Sequence, residues 1–215
     1  MKTNSKKISF NNKFGIGKYF LILLLAIVTF SCKDDDEPEI IQETPNSSQF
    51  INGVDKWTIE GDGQGGEGII PNFSPIEGLN NSGYIYANDN VTGGVWYFVA
   101  PNKYHGNKSE FMNGKIEFWL IQDSAMTNLF DDSDIIIEGE NNKKIIHFHT
   151  AAPTDIWTAY SINLDSTGVW MYEGQEATNE QIQNILSNIS KISIRGEFES
   201  GEDTGGLDGF SFIKL

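Results

Sequence analysis

Lys115-Ile116-Glu117-Phe118-Trp119-Leu120-Ile121 is the stretch that decides the fold class. In an extended chain successive side chains point to opposite sides, so Ile116, Phe118 and Leu120 share one face while Lys115, Glu117 and Trp119 share the other. That alternation predicts a half-buried β-strand. Working outward, 83–87, 95–99, 134–138, 144–149, 157–164, 192–198 and 209–214 have the same length and the same wealth of β-branched and aromatic residues. Gly, Asn, Asp and Pro bound them, and Asn141-Asn142 reads as a tight hairpin turn because Asn tolerates positive φ. Evenly spaced short strands of this kind predict an all-β protein, a sandwich or a barrel.

One segment departs from the alternation. Thr178 is followed three residues later by Gln181, a capping box, and Ile182, Ile185, Leu186 and Ile189 follow at helical spacing, which predicts one short helix with its stripe packed on the core. Residues 49–215 are enough for one domain with a proper core and too few for two. There is no internal repeat.

The N-terminus reads differently. Lysines at Lys2, Lys6, Lys7, Lys13 and Lys18 precede an uncharged apolar run from Tyr19 to Phe30, the layout of a secretion signal and too short for a spanning helix. The run ends Thr29-Phe30-Ser31-Cys32, and Cys32 is the only cysteine in the chain. This resembles the lipobox read by lipoprotein signal peptidase, with Thr29 where Leu is commoner. The resemblance implies that residues 1–31 are removed and that Cys32 carries lipid. Lys33-Asp34-Asp35-Asp36-Glu37 resembles the acidic export signal that sends Bacteroidetes lipoproteins to the outer face of the outer membrane. Residues 32–48, with Pro38 and Pro45, then form an acidic, disordered tether.

The whole chain has 15 basic against 30 acidic residues, and five of those lysines lie in the signal, so the remainder carries a charge of about −20. That excludes nucleic acid as a natural partner, because neutralising phosphates needs a basic face. It also makes lipid chains rather than charge the means of membrane attachment.

Motifs for chemistry are few. Gly61-Asp62-Gly63-Gln64-Gly65-Gly66 fits G-x-G-x-x-G, but Gly68-Ile69-Ile70-Pro71 follows instead of a helix and Asp62 and Glu67 would repel a pyrophosphate, so it reads as a flexible loop. His147 and His149 share a strand face, yet the only other histidine is His105, and zinc needs a third protein ligand. Glu138 and Glu197 are the carboxylates one would test as an acid and base pair for glycoside hydrolysis. Trp57, Trp96 and Trp157 read as core.

The strongest family resemblance lies in Gly94-Val95-Trp96-Tyr97-Phe98-Val99-Ala100-Pro101, the loop Lys103-Tyr104-His105-Gly106-Asn107-Lys108-Ser109 and the start of the next strand, Asn113-Gly114-Lys115-Ile116. Asp134 to Gly139, the Thr178 helix, Ile194-Arg195-Gly196-Glu197-Phe198 and Gly206-Leu207-Asp208-Gly209-Phe210 follow in order. Together they resemble the laminin IV type A domain, also called laminin B. The resemblance implies a jelly-roll β-sandwich similar to galactose-binding and carbohydrate-binding modules, with no catalytic machinery. It also implies a structural calcium at Asp208, with Asp62 or carbonyls of the Asn52 to Asp55 turn as companion ligands, the alternative being a turn-forming Asp208 that hydrogen-bonds its own backbone. For a glycan or glycoprotein ligand the rings to test are Trp119, Trp170 and Tyr172, although core packing is the commoner role for each, since aromatic residues carry much of any sandwich core. The resulting expectation is a lipid-anchored, cell-surface, noncatalytic binding module. A structural or assembly subunit of an envelope complex and a glycan-degrading enzyme are the alternatives.

Overall fold

The computed structural model describes residues 44–89, 93–123 and 128–215. Its elements are β1 (Ser47–Ser48), β2 (Thr58–Glu60), β3 (Asn72–Ser74), β4 (Tyr84–Asp89), β5 (Tyr97–Val99), β6 (Lys115–Gln122), β7 (Ile135–Glu138), β8 (Lys144–His147), β9 (Thr158–Asn163), β10 (Met171–Tyr172), β11 (Gln175–Glu176), helix α1 (Asn179–Leu186), β12 (Lys191–Arg195) and β13 (Asp203–Ile213). Two antiparallel sheets face each other. One runs β3-β4-β13-β6-β9, with β1 also on β13; the other runs β11-β10-β8-β7-β12-β5-β2. This is the jelly-roll β-sandwich that the strand pattern and the family resemblance imply.

The alternation in β6 is realised, with Ile116, Phe118 and Leu120 buried and the residues between them half-exposed. Facing them across the core are Phe98, Ile135, Ile137, Ile145, Ile192 and Ile194 of the second sheet, all fully buried. Asn141 and Asn142 take positive φ, 55° and 57°, in the connection between β7 and β8. Both hydrogen bonds of the Thr178–Gln181 capping box form, and Ile182, Ile185 and Leu186 of α1 join the core.

β13 is the longest strand and lies at the centre of its sheet, between β4 and β6. Leu207 and Phe210 both join the one core cluster although residues three apart on a regular strand point to opposite faces. A one-residue bulge between Asp208 and Ser211 resolves this, and Gly209 at φ +64° supplies the backbone conformation it needs. Sequence patterning places only 209–214 in this strand. The Gly205-Gly206 pair hides its first half, because glycine is depleted in strands.

Ser47 and Ser48 lie in what reads as tether, yet they pair with Ser211 and Phe210. Ser48 is buried, and its hydroxyl donates to Asp55 at 2.7 Å, accepts from the Trp57 indole at 2.9 Å and meets the Tyr104 hydroxyl at 2.7 Å. The ordered domain therefore starts earlier than its hydrophobic pattern does.

Two buried titratable groups shape one end of the core. Arg195 pairs with Asp134 at 3.1 Å, donates to the Phe130 carbonyl at 2.7 Å and lies between the Phe130 and Phe198 rings, 4.4 and 4.5 Å from their centroids. Nearby His149 stacks on Tyr160 with centroids 3.9 Å apart, and neither ring nitrogen has a hydrogen-bond partner. Loss of hydration, followed by the neighbouring His147 and Arg195 charges, pushes the His149 pKa down to about 3.

Two predictions follow from this packing. A Cβ on Gly205 would lie 2.1 Å from the Gly196 carbonyl oxygen, a backbone atom with no rotamer to yield, so Gly205→Ala lowers unfolding stability by about 2 kcal/mol or more. Thermal and denaturant unfolding measure it. For His149, the unfolded imidazole takes up a proton below about pH 6.5 while the folded one stays neutral down to about 3, so this group's contribution to stability falls as pH falls through that window. His149→Phe should make unfolding at pH 4 less acid-sensitive than in the parent by about 3 kcal/mol relative to pH 7.5.

Candidate functional site

The outward face of the β13 sheet carries an aromatic patch. Tyr84 and Tyr86 alternate out of β4, Trp119 out of β6, and Trp157 stands just before β9. All four are half-buried. The Tyr84 ring lies 5.4 Å from Tyr86 and meets Trp157 edge-on at 5.2 Å.

Glycines of β13 make this possible. A Cβ on Gly206 would sit 2.9 Å from the Tyr84 ring and 2.7 Å from Ile121, and one on Gly209 would sit 2.7 Å from the Trp119 ring. The rings lie over bare backbone, so the middle of the sheet is floored by aromatic surface. Polar groups surround it: Asn72 and Ser74 on β3, Asn88 on β4, and Glu117, which accepts from the Ser161 hydroxyl at 2.9 Å. Burial, then the charges of Glu77 and of Tyr86, holds the Tyr84 hydroxyl above its usual pKa, so it remains a neutral donor and acceptor.

The ring candidates read from sequence are not brought together. Trp119 lies in this patch. Trp170 does not: it is fully buried with its indole N–H donating to the Asn163 carbonyl at 2.7 Å, so it has no free face for a ligand and is withdrawn as a platform. Its Gly-Val-Trp-Met-Tyr context looks like a surface turn in one dimension, and only the fold shows Gly168 and His147 closing over it. Tyr172 is half-buried in β10, near the edge of the other sheet, with the Lys143 ammonium 5.7 Å from its ring centroid. Trp157, read as core, instead sits on the outward face, whereas Trp57 and Trp96 are fully buried.

The acidic candidates are also rearranged. Asp208 accepts from the Leu79 amide and the Ser82 hydroxyl, each at 2.8 Å, and so fastens the 78–82 turn to the central strand. Asp62 belongs elsewhere. Its carboxylate lies with those of Asp89 and Glu197, one oxygen of each within 4.8 Å of the others. Asp203, the cross-strand partner of Asp89, is five residues from Asp208, roughly 17 Å along β13. The structure therefore does not join Asp62 and Asp208 in one calcium site. Burial, then the charges of Asp89, Asp203 and Asp62, pushes Glu197 up to about 8; burial, then Asp89 and Asp123, pushes Asp203 up to about 7.

Glu138 pairs across from Lys191, and Glu197 follows it by six residues, roughly 20 Å in extended chain. Glycosidase carboxylates lie about 5–9.5 Å apart, so these two do not form such a pair. The His147 and His149 rings are 5.5 Å apart, with His147 Nδ1 already 2.9 Å from the Gly168 carbonyl oxygen. His105 lies in the loop bridged to Ile189. The glycine-rich loop is packed, since Gly63 is buried against the Trp96 ring. Cys32 and the Lys33, Asp34, Asp35, Asp36, Glu37 segment lie outside the described residues.

Residues 97–213 match the family model for laminin B (domain IV). No curated protein sequence matches the chain. Among solved structures, the L4b domain of human laminin alpha-2 is 18% identical over 55% of this chain and 70% of that one, with a TM-score of 0.47. A family 11 carbohydrate-binding module of a Clostridium thermocellum cellulosomal cellulase is 16% identical over 80% and 97%, with a TM-score of 0.49. A β-1,2-glucanase from Parabacteroides distasonis is 11% identical over 80% of this chain and 25% of its own, with a TM-score of 0.50, a likeness of fold alone. With more than half of its length matched by that family model, the chain belongs to the laminin B (domain IV) family.

Proposed function

We propose that this protein is a noncatalytic binding module for an extracellular glycan or glycoprotein, displayed at the cell surface by lipid on Cys32. The observation that carries the binding role is the half-exposed ring cluster Tyr84, Tyr86, Trp119 and Trp157 over the glycines of β13. Sugar rings present apolar C–H faces that stack on aromatic rings, and their hydroxyls need amide, hydroxyl and carboxylate partners of the kind that Asn72, Asn88, Glu117 and Ser161 supply. The net negative charge suits a neutral glycan rather than a polyanion.

The anchoring half of the proposal rests on the sequence. A lone cysteine after an uncharged apolar run, followed by an acidic segment, fits lipidation and export to the outer face of the outer membrane.

Binding to a panel of polysaccharides, by affinity electrophoresis and calorimetry, tests the first half. Saturable binding that weakens about thirtyfold, or about 2 kcal/mol, in Trp119→Ala and Trp157→Ala, with melting temperature little changed, is expected. Binding unaffected by either change would show that this face is not the site. For the anchor, labelled fatty acid should enter the mature protein and membrane association should be lost in Cys32→Ser. A Cys32→Ser protein that still fractionates with the envelope would refute lipid anchoring.

A further inference from the structure

At the end of the sandwich marked by Asp203, four acidic side chains meet from four parts of the chain. Asp62 comes from the loop after β2, Asp89 from the end of β4, Glu197 from just past β12 and Asp203 from the start of β13. Asp89, Glu197 and Asp203 are each at least 97% buried. One carboxylate oxygen from each of Asp62, Asp89 and Glu197 lies within 4.8 Å of the other two.

That spacing has a size. Three oxygens spread evenly around one cation at the upper calcium distance of about 2.6 Å lie about 4.5 Å apart, so oxygens within 4.8 Å of one another need shifts of no more than a few tenths of an ångström to share a calcium ion. Magnesium, at about 2.1 Å and near-ideal octahedral geometry, would need them closer.

A second observation points the same way. Asp203 faces Asp89 across the strand pair, and neither of its carboxylate oxygens has a hydrogen-bond partner. The Trp96 indole N–H and the Phe198 amide come near enough to Asp203 to favour its charged form without completing a bond. Glu197 Oε2 and Gln122 Oε1 are likewise buried and unpartnered, and the Gln122 side-chain N–H donates to the Gly196 carbonyl, next to Glu197. Among the described residues no lysine, arginine or histidine forms an ion pair with Asp62, Glu197 or Asp203. Buried acceptors without donors are costly, and a cation is the group that uses them.

The chain makes room for the arrangement. A Cβ at Gly94 would fall 2.0 Å from Asp62 Oδ2, so only glycine lets that carboxylate turn inward.

We propose that Asp62, Asp89 and Glu197 bind a calcium ion, with Asp203 beside them adding negative charge to the site. The site is separate from Asp208, whose carboxylate is used by the 78–82 turn. It ties the loop after β2 and the β12–β13 connection to the end of β4, and so stabilises one end of the sandwich.

The test uses the full chain stripped with chelator. Adding Ca2+ should give one saturable binding event by calorimetry and raise the melting temperature by about 5 °C or more at a hundredfold excess over Kd. Mg2+ at the same concentration should give a much smaller rise. Glu197→Gln and Asp203→Asn remove negative charge without changing shape, so both should fold in chelator at least as stably as the parent. Each should weaken Ca2+ binding at least tenfold, while Asp208→Asn retains it. No binding heat and no calcium-dependent shift in the parent would overturn the proposal. So would a calcium response that survives in the Glu197→Gln/Asp203→Asn double variant.

Discussion

The sandwich depends on bare backbone where its largest rings lie. Trp96 is fully buried between the sheets, and its indole has room only because Gly63, Gly196 and Gly205 carry no side chain: a Cβ on any of them would fall within 3.0 Å of the ring. These glycines come from the loop after β2, the end of β12 and the central strand, so one ring sets how closely three elements approach. On the opposite side of β13, Gly206 and Gly209 do the same for Tyr84 and Trp119. The central strand thus gives up side-chain packing and β-propensity on both faces to let aromatic surface from its neighbours close over it. That exchange also creates the aromatic floor, so the packing constraint and the candidate site have a common origin.

Buried charge at the same end of the molecule is handled in two contrasting ways. Arg195 is saturated: a carboxylate, two carbonyls and two aromatic faces surround the guanidinium, and Asp134 has its counterion. Two residues along the chain, Glu197 enters a group of carboxylates whose mutual repulsion and loss of hydration raise its pKa. A buried charge with its counterion and hydrogen bonds in place offsets its own loss of hydration, whereas carboxylates gathered together raise one another's pKa.

Much of the fold was legible because the segments that make it obey simple periodicities. β4, β6, β7, β8, β9 and β12 alternate or run apolar, and the helix announces itself through Thr178 and Gln181. What was missed has equally physical reasons. β2 and β3 are three residues each and β1, β10 and β11 only two, too short for any period to register. The first half of β13 contains glycines selected by close approach rather than by strand preference. Of the candidate rings, Trp119 could be placed outward from its strand phase, and Trp170 took the core role that is commoner for such rings, whereas Trp157, at an element boundary with no phase to read, was assigned to the core and ended on the outward face.

The sequence by itself determined the class of fold, the family and the acidic character of the chain, because those follow from local alternation, motif order and composition. Which residues converge was decided by tertiary structure alone. Asp62, Asp89, Glu197 and Asp203 are spread over more than 140 positions and become neighbours only when the sheets pair. Asp62 and Asp208, both acids beside glycines, look alike in one dimension and part company because a strand carries its residues along at about 3.3 Å apiece. Sheet register is a long-range property, set by how distant side chains bury one another, and no local window of residues contains it.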